Sequence, residues 1–461
     1  MKTMSPKIWL VATLLSVLSL PSLANSLPSI SEYQLDNGMK VIVKQDHRAP
    51  VVVHQVWYKV GSTYETVGNT GLSHMLEHMM FKGTKTLKPG LFSKQVSQLG
   101  GQENAFTSAN YTAYYQIVGK QHLEKVMQLE SDRMRNLVID DAEFNKERKV
   151  VMEERRWRLE DQPSSKLNEQ FNATAFMNSP ARNPVIGWRT DIENYQADDL
   201  RDWYRQWYAP NNATLVVVGD VKPQAVLALA KTYYGHYKPE GISNVKPQME
   251  IEQEGLRRIE LKGATKVPSV QLGYHVPTLV TAKTDQEKQE VYALAVLESI
   301  LDGGSSSRLP VSLVRKQKIA ASANASYNAT DRLSTLFELS GTPVAGHKVS
   351  DIEAALLREV DILKTELVSQ QELERIWAMD EADHVYYLDS IQAQASIIGS
   401  LVSVGLKPDT LDHWVENIRK VTPQQIQAVA KKYLKRDNLT IATLFPDGKE
   451  HSGLKAYTGR L

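Results

Sequence analysis

The sequence predicts an α+β fold of two similar domains, because one series of patterns recurs in both halves of its 461 residues. Each half contains, in the same order, an alternating strand, a long helix, and a closing helix–turn–strand unit. In the first half these segments are 111–118, 140–154 and 198–218; in the second half they are 333–339, 369–383 and 422–444. The two closing units are offset by about 225 residues, close to half the chain. The shared order favours an ancient duplication over chance likeness between two α/β domains.

The boundary between the domains is predicted where all periodicity stops, between Lys238 and Glu254. Prolines, a glycine and several charged residues interrupt the pattern there. We therefore assign three parts to the mature chain: an N-terminal domain at 25–240, a linker at 241–255 and a C-terminal domain at 256–461.

The overall composition is that of a folded globular protein, with 42% hydrophobic and 23% charged residues. A net charge of +1 predicts neither a nucleic-acid partner nor attraction to a membrane surface. The absence of cysteine excludes disulfides and thiol catalysis. Beyond the N-terminus no apolar stretch is long enough to span a bilayer, so stable membrane insertion is not expected.

The first residues follow the pattern of a secretory signal peptide. A positive start at Lys2 and Lys7 precedes the apolar run 8–20, and a small-x-small cleavage site ends at Ala24. The alternative is a membrane anchor, but a spanning helix needs about 20 apolar residues and this run is shorter. We expect residues 1–24 to be removed and the mature protein to reside in the periplasm or outside the cell.

An H-x-x-E-H motif lies in an apolar segment of the first half. On a helix capped by Asn69 or Thr70, His74 and His78 stack one turn apart on one face with Glu77 beside them. Such a buried cluster is costly without a compensating cation, and its donor atoms suit zinc. The histidines would hold the metal, and the glutamate would take a proton from the attacking water. The alternative is a chance match on a helix with core histidines.

A catalytic zinc site usually has a third protein ligand. The predicted helix 142–159 offers Glu147, Glu153 and Glu154. Glu153 shares its face with charged residues, whereas Glu154 shares the more apolar face with Glu147 and two valines. We therefore expect Glu154 to bind the metal and Glu147 to support the ligands from behind. Each of them could instead be an exposed helix glutamate.

Motifs spread over nearly the whole mature chain resemble the pitrilysin (insulinase-like, M16) family of zinc peptidases, in its bacterial and mitochondrial-processing-peptidase branch. They are G-L-S-H-M-L-E-H-M-M-F-K-G-T at 71–84, G-G-Q-E-N-A-F-T-S at 100–108, E-R-K-V-V-M-E-E at 147–154, P-V-I-G-W at 184–188 and Y-A-P-N-N-A-T-L-V-V-V-G-D at 208–220. The resemblance implies two similar α/β-roll domains around a chamber, one zinc ion per chain, and Glu154 as the third ligand.

The resemblance also assigns substrate binding to Asn104, Ala105 and Phe106, in an edge strand beside the metal. An extended peptide can add to such an edge as a further strand, through main-chain hydrogen bonds. Two glycines before a short polar strand fit a backbone-exposed edge. The alternative is an ordinary hairpin strand.

One departure from the family pattern concerns the second domain. Active members carry an arginine and a tyrosine in a segment like 306–321, where this chain has Val314 and Ala321. Shifting the comparison by one residue brings in Arg315 but no tyrosine. We expect a heterodimer with a paralogous subunit that supplies the pair, unless Arg315 or Tyr327 substitutes for it.

The sequence therefore predicts an exported zinc metalloendopeptidase that cleaves extended peptides with Glu77 as the general base. The alternative is a non-catalytic structural or chaperone-like subunit of the same fold, which the intact motif residues disfavour. A metal-dependent hydrolase of other substrates is disfavoured by the edge-strand segment.

Overall fold

The structure is a computed structural model that describes residues 30–242 and 245–449. The predicted signal peptide, 1–24, lies outside these residues. Within the described ranges, no helix combines the length and the apolar character that a membrane crossing requires.

The first half forms a six-stranded sheet. Its strands are β1 (Ile30–Gln34), β2 (Lys40–Gln45), β3 (Val51–Tyr58), β4 (Gln102–Thr107), β5 (Thr112–Gly119) and β6 (Ala213–Gly219). They lie in the order β1-β2-β6-β3-β5-β4, and all neighbours are antiparallel except β2 and β6. Strand β4 therefore lies at an edge of the sheet, where it pairs with β5.

Helices connect and cover these strands. They are α1 (Leu72–Met79), α2 (Leu91–Gln98), α3 (Leu123–Asn136), α4 (Asp141–Arg155), α5 (Pro163–Ala175), α6 (Arg189–Asn194), α7 (Ala197–Trp207) and α8 (Pro223–Tyr233). The helix expected at 142–159 is α4, but it changes to a π-helical turn at Arg156–Glu160.

The second half repeats this plan with a five-stranded sheet. Its strands are β7 (Arg257–Gly263), β8 (Ser269–Val276), β9 (Ala320–Tyr327), β10 (Thr335–Pro343) and β11 (Leu439–Pro446). Its helices are α9 (Asp285–Asp302), α10 (Val349–Thr365), α11 (Gln370–Asp389), α12 (Ile391–Val404), α13 (Trp414–Arg419) and α14 (Pro423–Tyr433).

The second sheet has the order β7-β11-β8-β10-β9, with β7 and β11 parallel and the other neighbours antiparallel. Without β1, the first sheet has the same order and the same strand directions. The predicted closing units are α7 with β6 and α14 with β11. The α+β fold of two similar domains is therefore confirmed.

Each half contributes one helix that packs on the sheet of the other half. From the second half, α12 packs Ala395, Ile398 and Val402 on the outer face of the first sheet. A β-carbon on Gly399 would lie 2.0 Å from the Trp57 ring, so the helix approaches β3 as closely as a glycine allows. This contact covers a face that the first half leaves apolar.

The reciprocal contact is made by α5 of the first half. Leu167 and Phe171 pack against Leu336 and Leu444 of the second sheet. A β-carbon on Gly273 of β8 would lie 2.6 Å from the Phe171 ring. Each sheet is therefore covered on one face by helices of its own half and on the other by a helix of the opposite half.

Candidate metal centre

Helix α1 carries the H-x-x-E-H motif and is anchored by its apolar side. Met75, Leu76 and Met79 are fully buried in the first core, as their spacing along a helix requires. The imidazole rings of His74 and His78 lie 4.7 Å apart. Both histidines line a large cavity on the other side of the helix.

The first turn of α1 is held by a carboxylate from upstream in the chain. Glu65 accepts hydrogen bonds from the amides of Gly71, at 2.7 Å, and Ser73, at 2.8 Å. Burial raises the pKa of Glu65 to about 7. The expectation that Thr70 or its neighbour caps the helix is wrong, because the Thr70 hydroxyl bonds to Asp191 at 2.6 Å instead.

The start of α1 also packs against the P-V-I-G-W motif. Gly71 has a φ of +91°, and a β-carbon there would lie 2.4 Å from the carbonyl oxygen of Ile186. The buried side chain of Arg155, at the end of α4, donates a 2.7 Å hydrogen bond to the carbonyl of Gly187. This loop thus fixes α1 and α4 relative to each other.

Helix α4 brings Glu154 to the two histidines. Its Oε2 atom lies 3.2 Å from His78 Nε2 and 3.8 Å from His74 Nε2. One donor atom from each of the three residues falls within 4.8 Å of the others. Glu153 points outward and pairs with Arg156 at 3.0 Å. In the part of the chain that the structure describes, no other His, Asp or Glu side chains form such a cluster.

Glu147 lies behind His78. Its Oε1 accepts a 2.9 Å hydrogen bond from His78 Nδ1, and its Oε2 lies 2.6 Å from Lys82 Nζ. A proton held on Nδ1 leaves the Nε2 lone pair free, on the side that faces Glu154. Lys82 lies four residues after His78, just beyond the end of α1, so one short segment carries both the histidine and the cation that pairs with Glu147.

The chemistry of this donor set fits a zinc ion. Two imidazole nitrogens and one carboxylate oxygen converge, and a zinc ion held by these three would keep a fourth position for water. Burial lowers the pKa of His74 to about 4, so this imidazole is neutral and can bind a metal. The contact with His78 lowers the pKa of Glu154, and the nearby charges of His74 and Arg158 add to the effect, which favours the ionised carboxylate.

Glu77 stands apart from the three converging atoms. Its Oε2 accepts a 2.6 Å hydrogen bond from the hydroxyl of Thr107, the last residue of β4. Burial raises the pKa of Glu77, while this bond lowers it. A carboxylate held in place with a raised pKa is suited to accept and return a proton.

The cavity beside these residues has a volume of about 1180 Å³. Its lining includes the motif residues, Asn104 to Thr107 of the edge strand, the π-helical turn after α4, and one side of α5. Val150 lines it too and is 50% exposed. The more apolar face of α4 is therefore only partly buried, because Val151 is fully buried whereas Val150 borders the open cavity.

The edge strand presents its residues in two directions. Phe106 packs on Trp57, with ring centres 5.3 Å apart, on the face covered by α12. Ala105 packs on the core around α1, on the same side as Thr107. The amide of Ala105 donates a 2.9 Å hydrogen bond to the Asn104 side chain.

The second-half positions singled out by the family pattern do not line this cavity. Val314 packs against the second core, and Ala321 is exposed on β9. The Arg315 guanidinium donates to the carbonyl of Ser305, and the Tyr327 hydroxyl donates to the carbonyl of Pro277 at 2.6 Å. Among the guanidinium groups that line the cavity, that of Arg158 lies 3.0 Å from Glu154, one of the candidate metal ligands.

Sequence reasoning missed three partners of the motif residues. Lys82 could have been suspected, since it follows His78 by four residues, although it lies just beyond the end of α1. Thr107 could have been suspected from the quoted edge-strand motif. No sequence pattern indicated the contact between Glu65 and α1, because this contact depends on the conformation of a loop.

Two family models match the chain. Residues 40–188 match Insulinase (Peptidase family M16), and residues 194–379 match Peptidase M16 inactive domain. The second match includes the whole of the segment in which Val314 and Ala321 lie.

Relatives with similar sequences span nearly the same length. The chain is 32% identical to the zinc protease PqqE of Helicobacter pylori, over 91% of this chain and 94% of that protein. It is 26% identical to the uncharacterized zinc protease YmxG of Bacillus subtilis, over 91% and 99%. The crystal structure of a protease from Helicobacter pylori superposes with a TM-score of 0.85 and 30% identity, covering 91% of this chain and 100% of that one. The chain belongs to the insulinase family, peptidase family M16.

Proposed function

We propose that the protein is an exported zinc metalloendopeptidase that cleaves extended peptides. His74, His78 and Glu154 hold one zinc ion, and Glu77 is the general base. The observation that carries this proposal is the geometry of one corner of the cavity. Two imidazole nitrogens and a carboxylate oxygen converge there, while a second carboxylate, that of Glu77, is held apart from them by Thr107.

The bound zinc would supply Lewis acidity to an attacking water and to the scissile carbonyl. Glu77 takes the proton from that water and passes it to the leaving amine. The hydrogen bond from Thr107 restricts the carboxylate to one orientation during both transfers. Glu147 and Lys82 hold the His78 ring so that its Nε2 faces the metal position.

The free edge of β4 binds the substrate in this proposal. A peptide added there as a further strand is held by main-chain hydrogen bonds with little demand on its sequence. Asn104, Ala105 and Phe106 form the part of the strand that borders the cavity. Because Thr107 continues the same strand, the bound peptide lies next to the general base.

A second subunit completes the site in this proposal. Neither Val314 nor Ala321 can donate a side-chain hydrogen bond to a substrate carbonyl, and the Arg315 and Tyr327 side chains are bonded elsewhere. Loss of one such donor costs about 2.7–4 kcal/mol of transition-state stabilisation. A paralogous subunit would supply the arginine and the tyrosine.

The test is to measure zinc content and cleavage of an unstructured peptide by the purified mature chain, alone and with its paralogue. We expect one zinc ion per chain, slow cleavage alone, faster cleavage with the paralogue, and loss of activity with a chelator. Full activity of the single chain would disprove the need for a partner. Zinc binding without cleavage in either state would favour a non-catalytic structural subunit, a function that the missing donors also fit.

Recovery of the mature chain from the periplasm would test export.

A further inference from the structure

The loop 328–334, between β9 and β10 of the second half, reaches the first half beside the metal centre. Arg332 Nη2 donates to the carbonyl oxygen of Thr63 at 3.0 Å and to its hydroxyl at 2.8 Å. The guanidinium carbon lies 4.0 Å from the centre of the Tyr64 ring. A paired and stacked guanidinium fixes both the position and the tilt of its target.

The same loop holds a second segment of the first half. Asp331 accepts a hydrogen bond from the side chain of Asn110. The two segments are also bonded to each other, because the Thr63 amide and hydroxyl each donate to the carbonyl of Ala109 at 2.8 Å. The loop therefore fastens segment 61–65 and turn 108–110 as one unit.

Each of these two segments is adjacent in sequence to a residue that contacts the motif helix α1. Glu65 follows Tyr64 and accepts the amides of the first turn of α1. Thr107 lies just before the turn 108–110 and holds Glu77. The position of the general base thus depends on both segments, one through the helix that carries it and the other through its hydrogen-bond partner.

We propose that Arg332 is a positioning residue for the peptidase reaction, and that through it the C-terminal domain sets the placement of α1 against the edge strand β4. This inference rests on the proposed function. Among the described residues, the C-terminal domain supplies no side chain to the lining of the cavity around the motif residues, yet it contacts the segments that position them through Arg332 and Asp331. Arg332 itself touches neither the metal ligands nor Glu77.

The first test compares Arg332→Gln with Arg332→Lys and with a control, Arg258→Gln. Arg258 also lies in the C-terminal domain and pairs through two nitrogens with Glu353, at 2.9 and 2.5 Å, on a surface away from the cavity. We expect R332Q to lower kcat/KM for a peptide by about tenfold or more at unchanged zinc content, because a displacement of roughly 1 Å can cost about a hundredfold in rate. R332K should recover part of the loss, and R258Q should match the unmodified protein.

The second test is hydrogen–deuterium exchange of the same proteins, which does not depend on activity. R332Q should exchange faster in peptides that cover 60–66 and 102–111, and R258Q should not. Unchanged exchange in those peptides, or a loss of kcat/KM equal in R332Q and R258Q, would overturn the inference. If the unmodified protein cleaves no peptide, alone or with its paralogue, while R332Q still exchanges faster in both segments, the peptidase proposal fails and the contact between the two segments stands.

Discussion

The hydroxyl of Thr107 donates a 2.6 Å hydrogen bond to Oε2 of Glu77. Thr107 ends the edge strand β4, whereas Glu77 lies between the two histidines on α1. A peptide added to β4 would therefore lie beside the residue that orients the general base. In the proposed mechanism, substrate binding and proton transfer would therefore depend on the same strand.

Replacing Thr107 with valine tests this relationship. A hydrogen bond to a charged group contributes about 1.5–3 kcal/mol, so we expect T107V to lower kcat by roughly 10- to 100-fold. Zinc content should not change, because Thr107 does not touch His74, His78 or Glu154. The conservative variant T107S should retain most of the activity. Unchanged kcat in T107V would show that Glu77 is oriented by something else.

Replacing Glu77 with glutamine separates proton transfer from metal binding. We expect E77Q to lose about 10²- to 10⁴-fold in kcat, the usual contribution of a general base. Metal analysis of the purified variant should still give one zinc ion per chain. A variant without zinc would mean that Glu77 is a ligand.

Glu153 and Glu154 provide a matched pair on one helix. The Glu154 side chain is 16% exposed and lies beside both histidines, whereas Glu153 is 69% exposed and pairs with Arg156. We expect E154Q to weaken zinc binding by more than the roughly 10- to 100-fold that follows loss of a supporting residue. E153Q should bind zinc normally. Competition with a chromophoric chelator measures both, and the reverse ranking would show that the wrong carboxylate was chosen.

An acidic group in the C-terminal domain predicts a pH-dependent stability. Burial raises the pKa of Glu298 on α9 to about 7, and the nearby Asp302 and Asp380 add to the effect. The folded state therefore binds this proton more tightly than the unfolded state, whose glutamate has the ordinary value of 4.5. The stability that the protonated group contributes is present at low pH and is lost as the pH rises towards 7.

The variant Glu298→Gln tests this sign. We expect E298Q to raise the free energy of unfolding at pH 8 by about 1–3 kcal/mol and to change it little at pH 5. Thermal unfolding at the two pH values measures the difference. The exposed Glu374 on α11 provides the control, since E374Q should show no such pH dependence. A gain that is equal at both pH values would contradict the assignment.

Much of the fold could be predicted because its signals are local. Units such as α7 with β6, and α14 with β11, are marked by β-branched runs and turn residues within about 25 residues. The arrangement of His74, Glu77 and His78 follows from helical spacing alone. The same spacing on α4 separates Glu153 from Glu154.

The rest depends on contacts between distant segments. Glu65 and Arg332 lie in loops, where the sequence has no helical or strand periodicity that would indicate which residues they contact. Val150 borders the cavity, although Val151 beside it is buried in the core. The packing of α5 and α12 on the sheets of the opposite halves could not be predicted, because an apolar helix face does not specify which sheet it packs against.

The packing of α5 and α12 on the opposite sheets predicts how the two halves would behave if the chain were cut between them. Cutting the chain anywhere in the linker would break one covalent connection but would leave each fragment holding a helix that the other requires. The fragment ending near residue 240 would expose Phe171 to water, and the fragment beginning near residue 256 would expose Ile398. The pieces should therefore associate and complement each other in solution, and neither should persist as a stable molecule by itself. The two similar halves are therefore expected to unfold together, as one cooperative unit.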